Sequence, residues 1–237
     1  MTISYALDVK APLMVSDGAS AGGPFDRLTV LENDLPYVPA SSIRGCVKAT
    51  LKKLISDALG RWPKLWTCHN GDSACSSQAS IDQRCPLCRI FGAPGSIQRG
   101  FTFSGAYYSN EARLHIEQAF PGRQAITVNI VRRVRNKYDV HLRRAREDHL
   151  FVDGVAAFMS SLSGTIQESP VHASYPADIR DFDLSFLLLG LRLTTRLGAG
   201  RNRGYGYANF VLSQPMDWQN KIKFFTDSWN TGIAGGS

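Results

Sequence analysis

The chain has 237 residues, of which 43% are hydrophobic and 20% charged, enough for one substantial core or two small ones and incompatible with a disordered or collagen-like chain. Lys and Arg outnumber Asp and Glu by 27 to 20, a basic balance that identifies no partner by its size alone. The longest strongly apolar run, Phe186 to Leu191, is broken by Gly190 and followed by Arg192, far short of the roughly 20 residues of a membrane span, so no membrane partner is expected.

Ile3 to Val9 alternates apolar with small or polar residues, the period of a half-buried strand. Asp8 and Lys10 stand where a secretory signal needs an unbroken apolar segment, so a cytoplasmic location is expected. From Ser16 to Pro36 the chain is rich in Gly, Ser and Pro, with a possible short strand at Leu28 to Leu31. A helix is expected next, with Ser41 or Ser42 as N-cap and a buried face of Ile43, Val47, Leu51, Leu54, Ile55 and Leu59. Arg44, Lys48 and Lys52 follow one another at four-residue spacing and project side by side from another stripe.

Residues 61–95 lose this periodicity and read as an insertion. Within it lie Cys68, Cys75, Cys85 and Cys88, the last two forming a C-x-x-C knuckle. In a cytoplasmic chain, cysteines read as thiols or metal ligands rather than disulfides. Four sulfur ligands satisfy tetrahedral zinc, and ligation can replace a core in so polar a loop. A structural Zn2+ is therefore expected. A redox C-x-x-C and plain thiols are the alternatives, and His69 rivals Cys68 as the fourth ligand. Cys46 reads as a small core residue.

Phe101 to Ser109 is strand-like and Ala125 to Val131 less strongly so. Between Arg132 and Asp148 the cations Arg132, Arg133, Arg135, Lys137, Arg143, Arg144 and Arg146 face only Asp139, Glu147 and Asp148. This concentration reads either as a solvated loop or as an arm that neutralises phosphates. Leu150 to Ile166 carries a second strand pattern ending near Gly164. Asp181 or Asp183 can cap a second helix with Leu184, Leu187, Leu188 and Leu191 buried, stopping at Gly198. The segment from Gly198 to Gly206 has the spacing G-x-G-x-x-x-G after a helix and before a strand, the reverse of the dinucleotide-binding context. It is a turn that another backbone can approach closely, with Arg201 and Arg203 able to grip phosphates; a tight turn with solvated arginines is the plainer reading. Tyr205 to Leu212 reads as the last strand, and the tail after Pro215 has no clear period. The element order strand, helix, strand, strand, helix, strand implies an α+β fold, ferredoxin-like as in RNA-recognition motifs.

Three segments resemble the RAMP superfamily of CRISPR-associated proteins, in particular the backbone subunits of type III effector complexes. Leu35-Pro36-Tyr37-Val38-Pro39-Ala40-Ser41-Ser42-Ile43-Arg44-Gly45 is similar to the family's "P-Y-I-P-G-S-S-L-K-G", with Ala40 in place of the usual glycine. Arg84-Cys85-Pro86-Leu87-Cys88-Arg89-Ile90-Phe91-Gly92 resembles its cysteine knuckle followed by "F-G". The stretch from Leu197 to Gly206 resembles its C-terminal glycine-rich loop.

The resemblance implies a domain over residues 1–214, with a zinc-binding insertion at 61–95, a basic thumb hairpin at 132–149 and a tail at 215–237. It implies CRISPR RNA, target single-stranded RNA and other subunits of the effector complex as partners. Guide phosphates would be held by Ser41, Ser42, Arg44 and Lys48, by Gly198, Gly200, Arg201 and Arg203, and by Arg132, Arg133, Arg135, Arg143 and Arg144 of the thumb. Base pairing would read sequence.

The resemblance further places a cleaving aspartate in the loop after the first strand, which points to Asp26 within Gly22-Gly23-Pro24-Phe25-Asp26-Arg27, with Asp17 and Asp34 as rivals. The activity so implied is a target-RNA endoribonuclease using transient Mg2+ or Mn2+. A non-catalytic guide-binding subunit is the alternative. A guide-processing ribonuclease is a more distant one, because His115, His141, His149 and His172 form no motif.

Overall fold

A computed structural model describes residues 1–16, 25–57, 68, 75, 80–93, 97–120, 129–158 and 160–212. Strand β1 (Thr2–Val9) turns Ile3, Tyr5 and Leu7 inward, as its alternation requires. Short strands β2 (Arg27–Leu28), β3 (Leu31–Glu32) and β4 (Leu35–Pro36) follow, then helix α1 (Ala40–Asp57) and the short helix α2 (Pro86–Phe91). Next come β5 (Phe101–Phe103), β6 (Tyr107–Tyr108), helix α3 (Asn110–Ala119), the long strands β7 (Ile130–Asp139) and β8 (Arg144–Ala156), and β9 (Leu162–Glu168). Helices α4 (Pro170–Ala173) and α5 (Ala177–Leu193) and strand β10 (Ala208–Leu212) complete the order. Among the described residues no helix is long and apolar enough to cross a membrane.

The protein is α+β. Its main sheet runs β10-β1-β9-β5, with β6 also on β9, all antiparallel, and Tyr5 is paired with Leu212 on one side and Gly164 on the other. Gly164 therefore lies inside a strand rather than at its end. The expected strand from Leu150 to Ile166 is in fact the end of β8 and most of β9, which belong to different sheets. Ile43, Cys46, Val47, Leu51 and Ile55 of α1 and Leu184, Phe186, Leu187, Leu188 and Leu191 of α5 join the inward residues of β1 in one hydrophobic cluster. The two helices approach closely at Gly190, where a Cβ would stand 2.7 Å from Leu51 Cγ, and Thr194 donates to Thr50 at 3.0 Å.

Several boundaries differ from the sequence expectation. Helix α1 begins at Ala40, with the Pro39 carbonyl accepting from Ser42 and Ile43, so Ser41 and Ser42 lie in the first turn and neither is the cap. Helix α5 starts at Ala177 after Pro176 and ends at Leu193, well before Gly198, which places Asp181 and Asp183 inside it. The Phe101 to Ser109 segment breaks into β5 and β6, and Ser109 caps α3 by accepting from the Ala112 N–H at 3.1 Å. Leu87, Ile90 and Phe91 of α2 belong to the main cluster, so the chain after the knuckle is core. Leu59, His69, Asp17, most of 61–80 and the tail beyond Leu212 lie outside the described residues.

Candidate nucleic-acid interface and metal centre

Strands β7 and β8 form a hairpin that extends the expected thumb at both ends. Register runs from Ile130 opposite Ala156 to Asp139 opposite Arg144, with a shift between Asn136 and Tyr138. Asp139 Oδ1 closes the turn by accepting from the N–H groups of His141 and Leu142 at 3.0 Å each. Arg132, Arg133, Lys137, Arg143, Arg144 and Arg146 are exposed. Of the neighbouring acids, Glu147 stands 3.8 Å from Arg144 at an exposed position, and Asp139 serves the turn. Exposed apolar side chains accompany the cations, notably Val140 at 75% and Leu142 at 61% exposure near the tip. The combination suits a strand of phosphates with unstacked bases, since cations meet the backbone and apolar groups meet the base faces.

The base of this hairpin carries the candidate catalytic residue. Strand β2 pairs in parallel with β8, Arg27 opposite Asp153. Asp26, just before it, donates its N–H to the Val152 carbonyl at 2.8 Å and accepts from the Val152 N–H through Oδ2 at 2.6 Å. Its side chain is exposed, and Oδ1 has no hydrogen-bond partner among the described residues. Asp34 is explained locally: Asn33 and Asp34 have φ of 49° and 61°, the two-residue turn that joins β3 to β4.

Sequence reasoning missed Asp153. Its side chain is 1% exposed and touches both Arg27 and Arg135. Burial would raise its carboxyl, but the hydrogen bonds from Arg27 and the charges of both guanidinium groups hold it below the usual range. No local pattern marks it, because its partner Arg27 lies 126 positions away in the chain.

The glycine-rich turn sits against this base. Gly198 and Gly206 have φ of 70° and 74°, and a Cβ at either would collide with a backbone carbonyl, that of Met14 or of Leu197. These two glycines are thus required by the protein's own chain. Ala199 donates to the Met14 carbonyl at 2.7 Å, locking the turn beside the segment after β1. Arg201 braces it against α1, with Nε on the Gly198 carbonyl and Nη2 on Cys46 Sγ, 3.0 Å each. The Arg203 side chain is exposed and has no protein partner among the described residues, while its N–H donates to the Gly200 carbonyl at 2.8 Å. Of the sequence candidates, Arg135, Gly200 and Arg203 line one cleft. Arg44 is half-buried and Lys48 exposed on α1, which meets the turn through Arg201 and Cys46. Arg132, Arg133, Arg143 and Arg144 stand out along the hairpin.

The four candidate metal ligands come together although they are spread over twenty-one positions. The sulfurs of Cys68, Cys75, Cys85 and Cys88 lie within 4.8 Å of one another. Cys68 Sγ is 3.6 Å from Cys85 and 3.4 Å from Cys88, and Cys75 Sγ accepts from the Cys85 N–H at 3.2 Å. Cys85 is the N-cap of α2 with Pro86 at the first helical position, so Cys88 returns to the same side one turn later. The hydrogen bond from Cys88 pulls the Cys85 thiol down to about 5 and, reciprocally, pushes Cys88 far up, while burial raises Cys75. Four converging sulfurs of this kind could hold a metal ion such as zinc.

Next to Cys88 begins a buried ionic chain. Arg89 binds Asp183 through Nε and Nη2 at 2.7 to 3.1 Å and also donates to the Arg84 carbonyl. His172 faces carboxylates on both ring nitrogens, Asp183 at 3.2 Å and Glu168 at 2.9 Å, and Arg180 closes the chain on Glu168 at 3.0 and 3.1 Å. Burial alone would raise Glu168, but Arg180 and then His172 bring it down to about 2. His172 is therefore a structural member of the core network, as its lack of a motif implied.

The RAMP superfamily model matches residues 6–209. No curated protein matches the chain. Among solved structures it is similar to a chain of type III-B Cmr-beta in the apo state, at 12% identity and a TM-score of 0.62, covering 91% of this chain and 98% of that one. It is also similar to a chain of type III-B Cmr-beta bound to cognate target RNA, at 11% identity and a TM-score of 0.56, covering 93% and 98%. At such identities the likeness to these structures is one of fold. The family match spans most of the chain, the cysteine knuckle and the glycine-rich turn included, and the protein belongs to the RAMP superfamily.

Proposed function

We propose that this protein is an RNA-binding subunit of a type III-B CRISPR effector complex, holding the CRISPR RNA backbone and the target RNA paired to it, with other subunits of the complex beside it. The observation that carries this reading is the meeting of an exposed cationic hairpin with the glycine-rich turn at one cleft. The strand order of the main sheet supports a ferredoxin-like frame, with α1 and α5 as its two helices. Binding of the purified full chain to a fluorescent single-stranded oligoribonucleotide tests the reading. Log affinity should fall linearly with log salt by about 0.7 for each phosphate engaged. No salt-sensitive affinity would overturn it.

The cysteine cluster is assigned structural Zn2+. Zinc–sulfur bonds of about 2.3 Å imply tetrahedral S···S edges of about 3.8 Å, and the sulfurs at 3.4 and 3.6 Å need only a small expansion. Metal analysis should find one zinc per chain, and chelation should lower Tm. A preparation without metal and with unchanged Tm would reject the assignment.

Asp26 supports target-RNA cleavage in this reading. One uncommitted carboxylate oxygen suits a cation that keeps most of its waters, so Asp26 Oδ1 would hold Mg2+ or Mn2+. The ion would supply charge neutralisation at the scissile phosphate. The Val152 N–H fixes the carboxylate through its other oxygen, and the hairpin base fixes Val152. That same hydrogen bond favours the second reading, a guide-binding subunit without cleavage, because it gives Asp26 a structural task. Asp26→Ala in the assembled complex separates them: cutting abolished at one set of target positions with binding retained supports cleavage, and unchanged cutting leaves the structural subunit.

A further inference from the structure

We infer that Arg89 and Asp183 are positioning residues of the cysteine centre: the pair grips the peptide group between Arg84 and Cys85 and so aims its N–H at the Cys75 sulfur. The inference rests on the zinc assignment above and adds the part of the fold that orients a ligand.

Arg84 and Arg89 flank the C-x-x-C knuckle, and one side chain joins the two flanks. Arg89 reaches back across the start of α2, where its Nη1 donates to the Arg84 carbonyl. Another edge of the same guanidinium is fixed, with Nε 2.8 Å from Asp183 Oδ2 and Nη2 2.7 Å from Oδ1. A planar fork held along one edge has the direction of its remaining donors set. The Arg84 carbonyl belongs to the same planar peptide as the Cys85 N–H, and that N–H donates to Cys75 Sγ at 3.2 Å. Holding the oxygen therefore orients the hydrogen. Hydrogen bonds in series also polarise one another, which strengthens the donor that meets a thiolate.

Both ends of this brace are anchored. Asp183 is wholly buried on α5, and its Oδ2 also lies 3.2 Å from His172 Nε2. The Arg89 N–H donates to the Cys85 carbonyl at 3.1 Å, and the Arg89 carbonyl accepts from the Gly100 N–H at 3.0 Å. A Cβ at Gly100 would collide with that carbonyl, so the neighbouring chain closes directly on the knuckle. The pairing with Asp183 fastens α2 to α5, and the contact on the Arg84 carbonyl adds a hold on the knuckle itself. Groups that orient metal ligands from outside the ligand set are worth about 10- to 100-fold in metal affinity.

The test follows transfer of Zn2+ from the loaded full chain to a chromophoric chelator of known affinity, with a second readout from protein carrying Co2+ instead. Arg89→Lys keeps a cation beside Asp183 but lacks the fork that also reaches Arg84. It should bind zinc about tenfold more weakly. Its sulfur-to-cobalt charge-transfer band should move to longer wavelength, because a thiolate that loses a hydrogen-bond donor gives up its electrons more easily. Arg180→Met removes the bonds to Glu168 at the far end of the ionic chain and should leave both readouts at their wild-type values. Either readout unchanged in Arg89→Lys overturns the brace. So does Arg180→Met reproducing the loss, since the effect would then be one of general stability. If Arg89→Lys fails to fold, Arg89→Met/Asp183→Leu, which removes the brace without leaving a buried charge, decides by the same two readouts. An unsubstituted chain that holds no zinc instead removes the metal assignment itself, before any variant is compared.

Discussion

Arginine plays opposite parts in two regions of this molecule. Around α2 and α5, Arg89 and Arg180 are consumed by acids whose side chains are at most 2% exposed, and both acids also face His172. On the β7–β8 hairpin, Arg132, Arg133, Arg143, Arg144 and Arg146 stand in water beside few acids. The first arrangement stores cohesion and the second leaves electrostatic attraction unspent. Burial, not residue type, sets the difference, because an unpaired charge is tolerable only where water solvates it.

The largest expected effect comes from breaking the buried region. Among the described residues, Arg89→Met leaves the wholly buried Asp183 carboxylate with His172 as its one remaining side-chain partner, a change of about 3–5 kcal/mol and a Tm decrease of roughly 10 °C. Arg89→Met/Asp183→Leu should recover most of this, since an apolar pair carries no desolvation cost. Thermal unfolding checks both. A single variant as stable as the parent would mean that the network contributes nothing.

Acid should weaken the same region next. Glu168 ordinarily titrates at 4.5 and is held at about 2 in the fold. Its contribution is therefore complete above pH 4.5 and is lost as pH falls from there towards about 2, worth roughly 3 kcal/mol in all. Glu168→Gln should flatten stability across this window while lowering it at neutral pH. Urea midpoints measured through the window give the slope, and parallel profiles for the two proteins would remove Glu168 from the account.

How far the sequence reveals these two regions follows from the same contrast. The hairpin is legible because its cations are consecutive neighbours along the chain, and the cysteines because metal chemistry restricts their types. Asp183 is not legible: a residue read as a helix cap is buried against Arg89, 94 positions away in the chain, and no local pattern records such a pairing. Asp26 and Asp153 illustrate the point within the candidate site. The first stands in a family-like segment, while the second acquires its role only when β2 aligns with β8. Likewise α3 is hidden by a strand-like run whose last residue, Ser109, is the cap of the next element.

The smallest effect on stability, and the sharpest test of the contrast, belongs to the hairpin. Arg132→Ala, Arg133→Ala and Arg144→Ala remove exposed side chains, and of these only Arg144 has an ion pair among the described residues, at 3.8 Å and solvent-screened. Each should change stability by no more than about 0.5 kcal/mol. In the RNA titration every arginine that neutralises a phosphate should instead take about 0.7 off the salt slope when replaced. Melting and binding measured on the same preparations decide the matter. A hairpin arginine whose removal lowers Tm as Arg89→Met does would be part of the scaffold, because a solvated cation with no partner in the fold can make its removal felt only through what it binds.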